Sequence, residues 1–283
     1  MILQSALPFI AIAFFLLALV SGRKESDGVF YSSWFGKLVG ALGWVSFAGY
    51  CYFETLRCLL LEDYVRTSFA LIFLAFSLLL AFLLMTTSEK GDADLVLTIT
   101  KVALITAVFY FPFSEFALLG DLLISVTAKL SAMMLNLLNV GVYMVPPSSI
   151  YTTSSSFHEA YKPIKIILAC TAIQSMALFT GVVFGVTAPI GRKLKAFCAS
   201  VPVIYGLNIL RNALVAAAYF EQWFGGSPLH SFFIAHEVLA RIGSMIALIV
   251  IAYAVFVILP EALDLIEDLF RFFSRIFSTR IKG

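Results

Sequence analysis

Charged residues are scarce in this sequence. Of its 283 residues, 13% are Asp, Glu, Lys or Arg, whereas 61% are hydrophobic, and the mean hydropathy is +0.99. So little charge excludes a water-soluble globular domain of this length, and the sequence therefore predicts an integral membrane protein. The net charge of +2 is also small, and no basic segment interleaved with aromatic residues suggests nucleic-acid binding.

Residues that bind metals or form disulfides are few as well. His158 and His230 fall in predicted loops, which disfavours a haem-binding bundle with axial histidines on its helices. Because no metal-ligand cluster is visible either, we expect neither a metal nor a cofactor. All four cysteines lie in or beside apolar segments and predict no disulfide framework: Cys51, Cys58, Cys170 and Cys198.

Long apolar runs fill most of the chain. A helix needs about 20 apolar residues to cross the roughly 30 Å hydrocarbon layer of a bilayer. The sequence predicts an all-α, polytopic transmembrane helical bundle of about eight helices. The first run lacks the basic segment and cleavage site of a signal peptide, so we expect it to be retained. The predicted runs are 2–21, 36–55, 67–86, 96–118, 122–145, 164–188, 197–219 and 238–260.

Basic residues indicate an orientation, because cytoplasmic loops are enriched in Lys and Arg. They crowd the loop before the seventh run and the segment after the eighth, which places both in the cytoplasm. An even number of helices places the N-terminus there too, although Arg23 and Lys24 count against the scheme. The tail at 261–283 combines an apolar stripe with arginines, which predicts an amphipathic helix on the inner leaflet. The basic residues are Arg192, Lys193, Lys195, Arg271, Arg275, Arg280 and Lys282.

Two arginines lie inside predicted membrane helices. Arg211 belongs to the seventh run and Arg241 to the eighth. An arginine near the centre of a membrane helix costs roughly 2.5 to 3.5 kcal/mol on insertion scales, and its guanidinium does not shed its charge. Intramembrane positions of this kind are typical of functional sites, so both arginines are candidate site residues.

A thiol and an imidazole are expected at a similar depth. In the predicted topology Cys170 enters the membrane about six residues into the sixth helix, while His236 lies at the mouth of the eighth, about one turn above Arg241. A cysteine attacks as the thiolate, which a fixed cation such as Arg211 stabilises. The sequence thus indicates a cysteine nucleophile near the extracytoplasmic face.

Polar neighbours on the same helices extend this candidate site. Asn208 and Asn212 have i, i+3 and i+4 spacing with Arg211 and form one polar stripe. Gln174 lies one turn from Cys170 and could donate a hydrogen bond to an oxyanion. In a regular α-helix His236 points about 140° away from Arg241.

Each of these residues also has a purely structural interpretation. A lone cysteine in an apolar helix is usually a packing residue, and an interfacial histidine usually makes an ordinary hydrogen bond. Glu237 and Arg241 at i, i+4 could form a plain ion pair. A membrane transporter that uses the two intramembrane arginines to bind an anionic solute is the main alternative function.

Three segments carry a resemblance to a known family: LACTAIQSMALFTGVVFG, VPVIYGLNILRNALVAAAYF and FFIAHEVLARIGSMIAL. Their order and residues, over about 145–260, resemble the core of the exosortase/archaeosortase family, and its archaeosortase branch most of all. The resemblance implies a membrane-embedded cysteine transpeptidase in which Cys170 forms an acyl-thioester and Arg211 is the proton donor. The third family position varies between arginine, histidine and asparagine. We assign it to Arg241 as transition-state stabiliser, with His236 as the competing candidate.

The resemblance also implies partners and an organisation for the chain. The substrates are exported proteins with a tripartite C-terminal tail: a short motif, Pro-Gly-Phe in this branch, then a hydrophobic helix and a basic cluster. Processing is linked to transfer of the new C-terminus to a membrane lipid. We therefore expect N-terminal transmembrane helices at 1–145, the catalytic core at 146–260 and a cytoplasmic tail at 261–283.

Overall fold

A computed structural model of the chain describes residues 2–21, 23–24, 30–31, 34–86, 90–153, 162–225 and 227–281. Helices account for most of these residues, and the short strands form two small antiparallel sheets. The helices are α1 (Ile2–Val20), α2 (Trp34–Leu60), α3 (Tyr64–Thr86), α4 (Lys90–Glu115), α5 (Ala117–Leu137), α6 (Ile173–Gly185), α7 (Ile190–Glu221), α8 (Pro228–Phe233), α9 (Ala240–Ile258) and α10 (Pro260–Ile281). The strands are β1 (Arg23–Lys24), β2 (Phe30–Tyr31), β3 (Val142–Val145), β4 (Ser149–Thr152) and β5 (Ile164–Lys165).

The predicted class, a helical multi-pass membrane protein, is confirmed. Among the described residues, five helical segments are long and apolar enough to cross a bilayer, and two shorter helices are also apolar. The five segments are Tyr64–Thr86, Asp92–Glu115, Ala117–Leu137, Ile190–Glu221 and Pro228–Ile258, and the shorter ones are Gln4–Val20 and Ile173–Gly185.

The predicted fifth helix, 122–145, is wrong beyond Leu137. Helix α5 ends at Leu137, and Asn139 adopts a left-handed conformation with φ of 61°. Strand β3 follows, and the Asn136 side chain holds it in place. Its Nδ2 donates to the Val142 carbonyl at 3.1 Å, and its Oδ1 accepts from the Val142 N–H at 3.0 Å. These two hydrogen bonds replace the helical partners that Val142 would otherwise have.

The predicted sixth helix, 164–188, begins too early. Strand β5 and a 3₁₀ helix at Leu168–Thr171 precede α6, which starts only at Ile173. Ala172 separates the two helices with φ of 57°, a left-handed conformation that interrupts any regular helix. Consequently Cys170 lies on a 3₁₀ turn and not inside a membrane helix.

Strands β3, β4 and β5 form an antiparallel sheet in that order. Tyr143 lies opposite Tyr151, and their rings stack with centroids 5.4 Å apart. Ile150 of β4 is fully buried in an apolar cluster with alanines of α5 and α7. The loop that we expected to be turn-rich is thus a hairpin in its first part, and residues 154–161 lie outside the described residues.

Contacts divide the chain into two compact units. One contains Met1–Phe111, Phe184–Thr187 and Glu261–Gly283, and the other contains Pro112–Val183 and Ala188–Pro260. All predicted site residues belong to the second unit. The division predicted from the sequence at 145 and 260 stays a prediction.

Helices α1 to α4 pack around Trp44 in the first unit. Phe15, Leu80 and Val96 are almost completely buried in the same cluster. The Trp44 Nε1 donates to the Thr100 Oγ1 at 3.0 Å, which joins α2 to α4. The Thr100 hydroxyl in turn donates to the Val96 carbonyl at 2.8 Å, so both buried polar groups are satisfied.

Helix α10 forms over the predicted amphipathic tail. Phe272 is buried against Leu83 and Leu95, and the Arg275 Nη2 lies 2.6 Å from the Asp92 Oδ1. Phe272 therefore packs on protein, whereas Leu263, Ile266 and Phe270 of the predicted apolar stripe are exposed.

Breaking the hydrogen bond between α2 and α4 should lower stability. Trp44→Phe and Thr100→Val each remove one partner, and a double-mutant cycle isolates the pair from the loss of packing. We expect a coupling energy of about 0.6 kcal/mol and at most about 1.7, the range for hydrogen bonds between membrane helices. Unfolding of the detergent-solubilised protein measures it. Strictly additive effects of the two substitutions would contradict the assignment.

Candidate active site

The segment that carries Cys170 is a tight turn between an extended strand and a helix. Ile167 is extended, Leu168–Thr171 forms a 3₁₀ helix, and Ala172 is left-handed. The Cys170 N–H donates to the Ile167 carbonyl at 2.8 Å, and the fully buried Thr171 hydroxyl donates to the Leu168 carbonyl at 2.7 Å. A left-handed alanine costs roughly 1 to 2 kcal/mol, so the surrounding contacts must hold this turn in place.

Two asparagines of α7 hold the same turn. The Asn208 Nδ2 donates to the Cys170 carbonyl oxygen at 2.7 Å, and the Asn212 Nδ2 donates to the same oxygen at 2.8 Å. Their i, i+4 spacing places both on one helix face, as the sequence predicts. They bind the backbone of Cys170 in this structure, which makes them positioning groups for the turn.

The Cys170 side chain is half-buried and contacts an apolar cluster. This cluster combines the sheet with the small residues of α5 and α7, including Ala128, Ala132, Val142, Ile150, Ala213 and Ala216. The thiol of Cys170 therefore lies at the edge of the core of the second unit.

A cavity of about 750 Å³ adjoins the turn. Its walls come from the Cys170 turn and the start of α6, from α7, and from α9 with the segment that precedes it. Among the described residues, Leu168, Ala169 and Ala172 line it, whereas Cys170 does not. Most of the wall is apolar, and its polar side chains are those of Gln174, Ser175, Asn208, Arg211, Arg241 and Ser244. Such a wall suits a largely apolar ligand with a few hydrogen-bond acceptors.

Arg211 is the half-buried cation of this cavity. Its Nε is inaccessible to solvent and has no hydrogen-bond partner within the described part of the chain. A buried donor without a partner costs about 1 to 3 kcal/mol, and such atoms call for a specific explanation. A rotation of the Arg211 side chain would bring this donor into the cavity, where an acceptor on a bound substrate could satisfy it.

The entrance to α9 is a π-helix at Ile234–Leu239. His236 Nδ1 lies 2.8 Å from Glu237 Oε1, and Arg241 Nη2 forms an ion pair with Glu237 Oε2. The angle of about 140° predicted between His236 and Arg241 assumed a regular α-helix. A π-helix turns more slowly per residue, and here both side chains meet on one carboxylate.

The structure brings the predicted site residues to different positions. Gln174, Asn208, Arg211 and Arg241 line the cavity, whereas Cys170, His236 and Asn212 do not. Sequence reasoning missed the left-handed Ala172, for which no signal exists because glycine or asparagine usually occupies such positions. It also missed the cavity residues Trp223 and Phe224, which directly follow the end of α7.

Comparisons with known proteins give the family to which the sequence is similar. A family model described as transmembrane exosortase matches residues 4–253. Archaeosortase A of Natronomonas pharaonis is 31% identical over 196 residues, which is 62% of each chain. Archaeosortase A of Haloferax volcanii is 36% identical over 118 residues, which is 37% of this chain and 39% of the relative. The matches thus span less than two thirds of either relative, and no solved structure matches the chain.

Removing the donors to the Cys170 carbonyl should destabilise the turn. Asn212 is buried, so Asn212→Ala should cost about 1 to 3 kcal/mol, while the more accessible Asn208→Ala should cost less. Asn212→Asp should be at least as harmful, because it places a carboxylate against a carbonyl oxygen. Thermal unfolding in detergent gives the order of stability. Asn212→Ala unfolding at the wild-type temperature would contradict the role assigned to this hydrogen bond.

Proposed function

The chain belongs to the transmembrane exosortase family, and from this membership and the cavity geometry we propose that it is a membrane-embedded cysteine transpeptidase. One observation carries the proposal. The turn that bears Cys170, the guanidinium of Arg211 and that of Arg241 come from three different elements and border the same cavity. A cysteine-bearing turn and two permanently charged side chains beside a mainly apolar cavity are suited to acyl transfer.

The proposed substrates are exported proteins with a sorting signal at the C-terminus. The signal consists of a Pro-Gly-Phe-type motif, a hydrophobic helix and a basic cluster. The new C-terminus would be transferred to a membrane lipid. Archaeosortase A is the name of both relatives, which supports this narrower assignment within the family.

The proposed orientation follows from the distribution of basic residues. Both termini would lie in the cytoplasm and the cavity near the extracytoplasmic face. A substrate tail with its basic cluster inside would then present its motif at the outer interface. That is the level at which we place Cys170, Arg211 and Arg241.

In the proposed mechanism the Cys170 sulfur attacks the carbonyl carbon of the scissile peptide. Because the side chain contacts the apolar cluster, it first has to rearrange toward the cavity. Arg241 stabilises the oxyanion of the tetrahedral intermediate. Arg211 donates a proton to the leaving amine as the C–N bond breaks, and the proton that the Cys170 thiol loses on attack restores the charged guanidinium. The acyl-thioester then reacts with the nucleophile of the acceptor, which releases the new product and the Cys170 thiol.

Exchange of the nucleophile tests the function directly. Cys170→Ser should leave a co-expressed substrate with a Pro-Gly-Phe tail at its uncut mass, while wild-type protein shortens it and adds the mass of the acceptor. Cys198→Ser is the matched control, because Cys198 is an exposed cysteine on α7. Both variants should accumulate in the membrane like the wild type.

Continued cleavage by Cys170→Ser would overturn the proposal. The alternative of a transporter that binds an anionic solute would then gain weight, since Arg211 and Arg241 line a mainly apolar cavity. Solute uptake that depends on both arginines but not on Cys170 would establish it.

The third catalytic position can be tested with two substitutions. Arg241 lines the cavity and His236 does not, so Arg241→Ala should lower kcat about 10²- to 10³-fold, the effect of losing one oxyanion donor. His236→Ala should have a smaller effect, because the histidine acts only through its neighbours. Rates of substrate cleavage in proteoliposomes give both values. The reverse order of effects would assign the third position to His236.

A further inference from the structure

Glu237 joins the two candidates for the third catalytic position. Its Oε1 contacts His236 Nδ1 at 2.8 Å, and its Oε2 contacts Arg241 Nη2. We infer that Glu237 is a positioning residue that holds the Arg241 guanidinium at the wall of the cavity. This inference rests on the proposed transpeptidase function, because a positioned guanidinium contributes by stabilising the negative charge that develops during acyl transfer.

The stability gained from this ion pair is too small to explain the arrangement. The Arg241 side chain is 67% exposed and that of Glu237 is 31% exposed, and ion pairs this accessible contribute about 0 to 1 kcal/mol. Helix α10 carries an ion pair of the same i, i+4 spacing, between Glu267 and Arg271 at 3.3 Å. The i, i+4 spacing alone therefore does not distinguish Glu237 from Glu267. The distinction must come from the other contacts of Glu237.

The second oxygen of Glu237 is what sets it apart. Glu237 Oε1 contacts His236, whose ring stacks on Phe232 with centroids 5.1 Å apart and planes at 10°. Phe232 meets Tyr219 of α7 edge-on at 6.0 Å, and the Tyr219 hydroxyl donates to the Lys162 carbonyl at 3.1 Å. The carboxylate is thus braced through His236 against α7. Holding a glutamate and an arginine side chain in one rotamer costs about 1.5 to 2 kcal/mol each in conformational entropy. The contacts through His236 offset this cost before substrate binds.

The π-helix makes the shared carboxylate possible. Segments of this kind are rare and occur frequently at functional sites. Here the segment spans Ile234–Leu239 and ends directly before Ala240, so Arg241 is the second residue of α9. A guanidinium has five N–H donors, and contact through Nη2 leaves others for the cavity. Glu237 can therefore orient Arg241 without consuming its capacity to bind an oxyanion.

Charge removal at Glu237 tests the inference. Glu237→Gln keeps the size of the side chain but weakens its hold on Arg241, so kcat for a substrate with a Pro-Gly-Phe tail should fall about 10- to 100-fold. KM should change little, because Glu237 is not among the residues that line the cavity. In an Arg241→Ala background, Glu237→Gln should have no further effect. Glu267→Gln is the matched control and should leave both constants unchanged.

A chemical readout that needs no activity accompanies the kinetics. Phenylglyoxal should modify Arg241 faster in Glu237→Gln than in the wild type, as measured by peptide mass, while Glu237→Asp should lie between them. Equal labelling rates would overturn the inference, as would an equal loss of kcat in the presence and absence of Arg241. If the wild type cleaves no substrate, the proposed function fails, and the labelling rates alone decide whether Glu237 holds Arg241.

Discussion

The hydrogen bonds from Asn208 and Asn212 to the Cys170 carbonyl are the interaction on which the site depends. A bilayer offers no water to irregular backbone, so non-helical segments at membrane depth persist only where protein or a water-filled cavity satisfies them. At the depth proposed for it, the turn around Cys170 is such a segment, and α7 supplies both donors to its carbonyl oxygen. Without them, a continuous helix through 164–185 would satisfy the backbone more cheaply. The conformation of the turn therefore depends on its hydrogen bonds with α7.

The same helix connects this turn to the charges of the cavity. Arg211 lies between the two asparagines in sequence and lines the cavity, so the face that fixes the Cys170 backbone also sets the depth of a guanidinium. Arg241 reaches the cavity from another element and is bound by Glu237. One arginine is therefore already oriented, whereas the Nε of the other has no partner among the described residues. This asymmetry fits two roles, a fixed oxyanion donor and a group that responds to the leaving amine.

Sequence reasoning predicts the class of fold better than it predicts the local structure around the candidate site. Long apolar runs suffice for α3 and α7, because length and hydropathy leave no alternative. The helix predicted at 122–145 extends too far, because a short apolar stretch such as VYMV is compatible with either a strand or a buried helix. Only the contacts of Asn136 and the pairing with β4 decide it. Likewise, nothing in the residues at 234–239 predicts a π-helix, so the meeting of His236 and Arg241 on Glu237 could not be predicted.

The apolar wall of the cavity bears on the outcome of the proposed reaction. An acyl-thioester reacts with whichever nucleophile reaches it, and water at about 55 M would outcompete a lipid acceptor in an open site. The cavity is walled mainly by leucine, isoleucine and alanine side chains of α7 and α9, which disfavour water and suit an acyl chain. The two arginines add positive charge to the few polar side chains of this wall, which include Gln174, Asn208 and Ser244. An apolar wall of this kind would favour the proposed transfer to a lipid over hydrolysis.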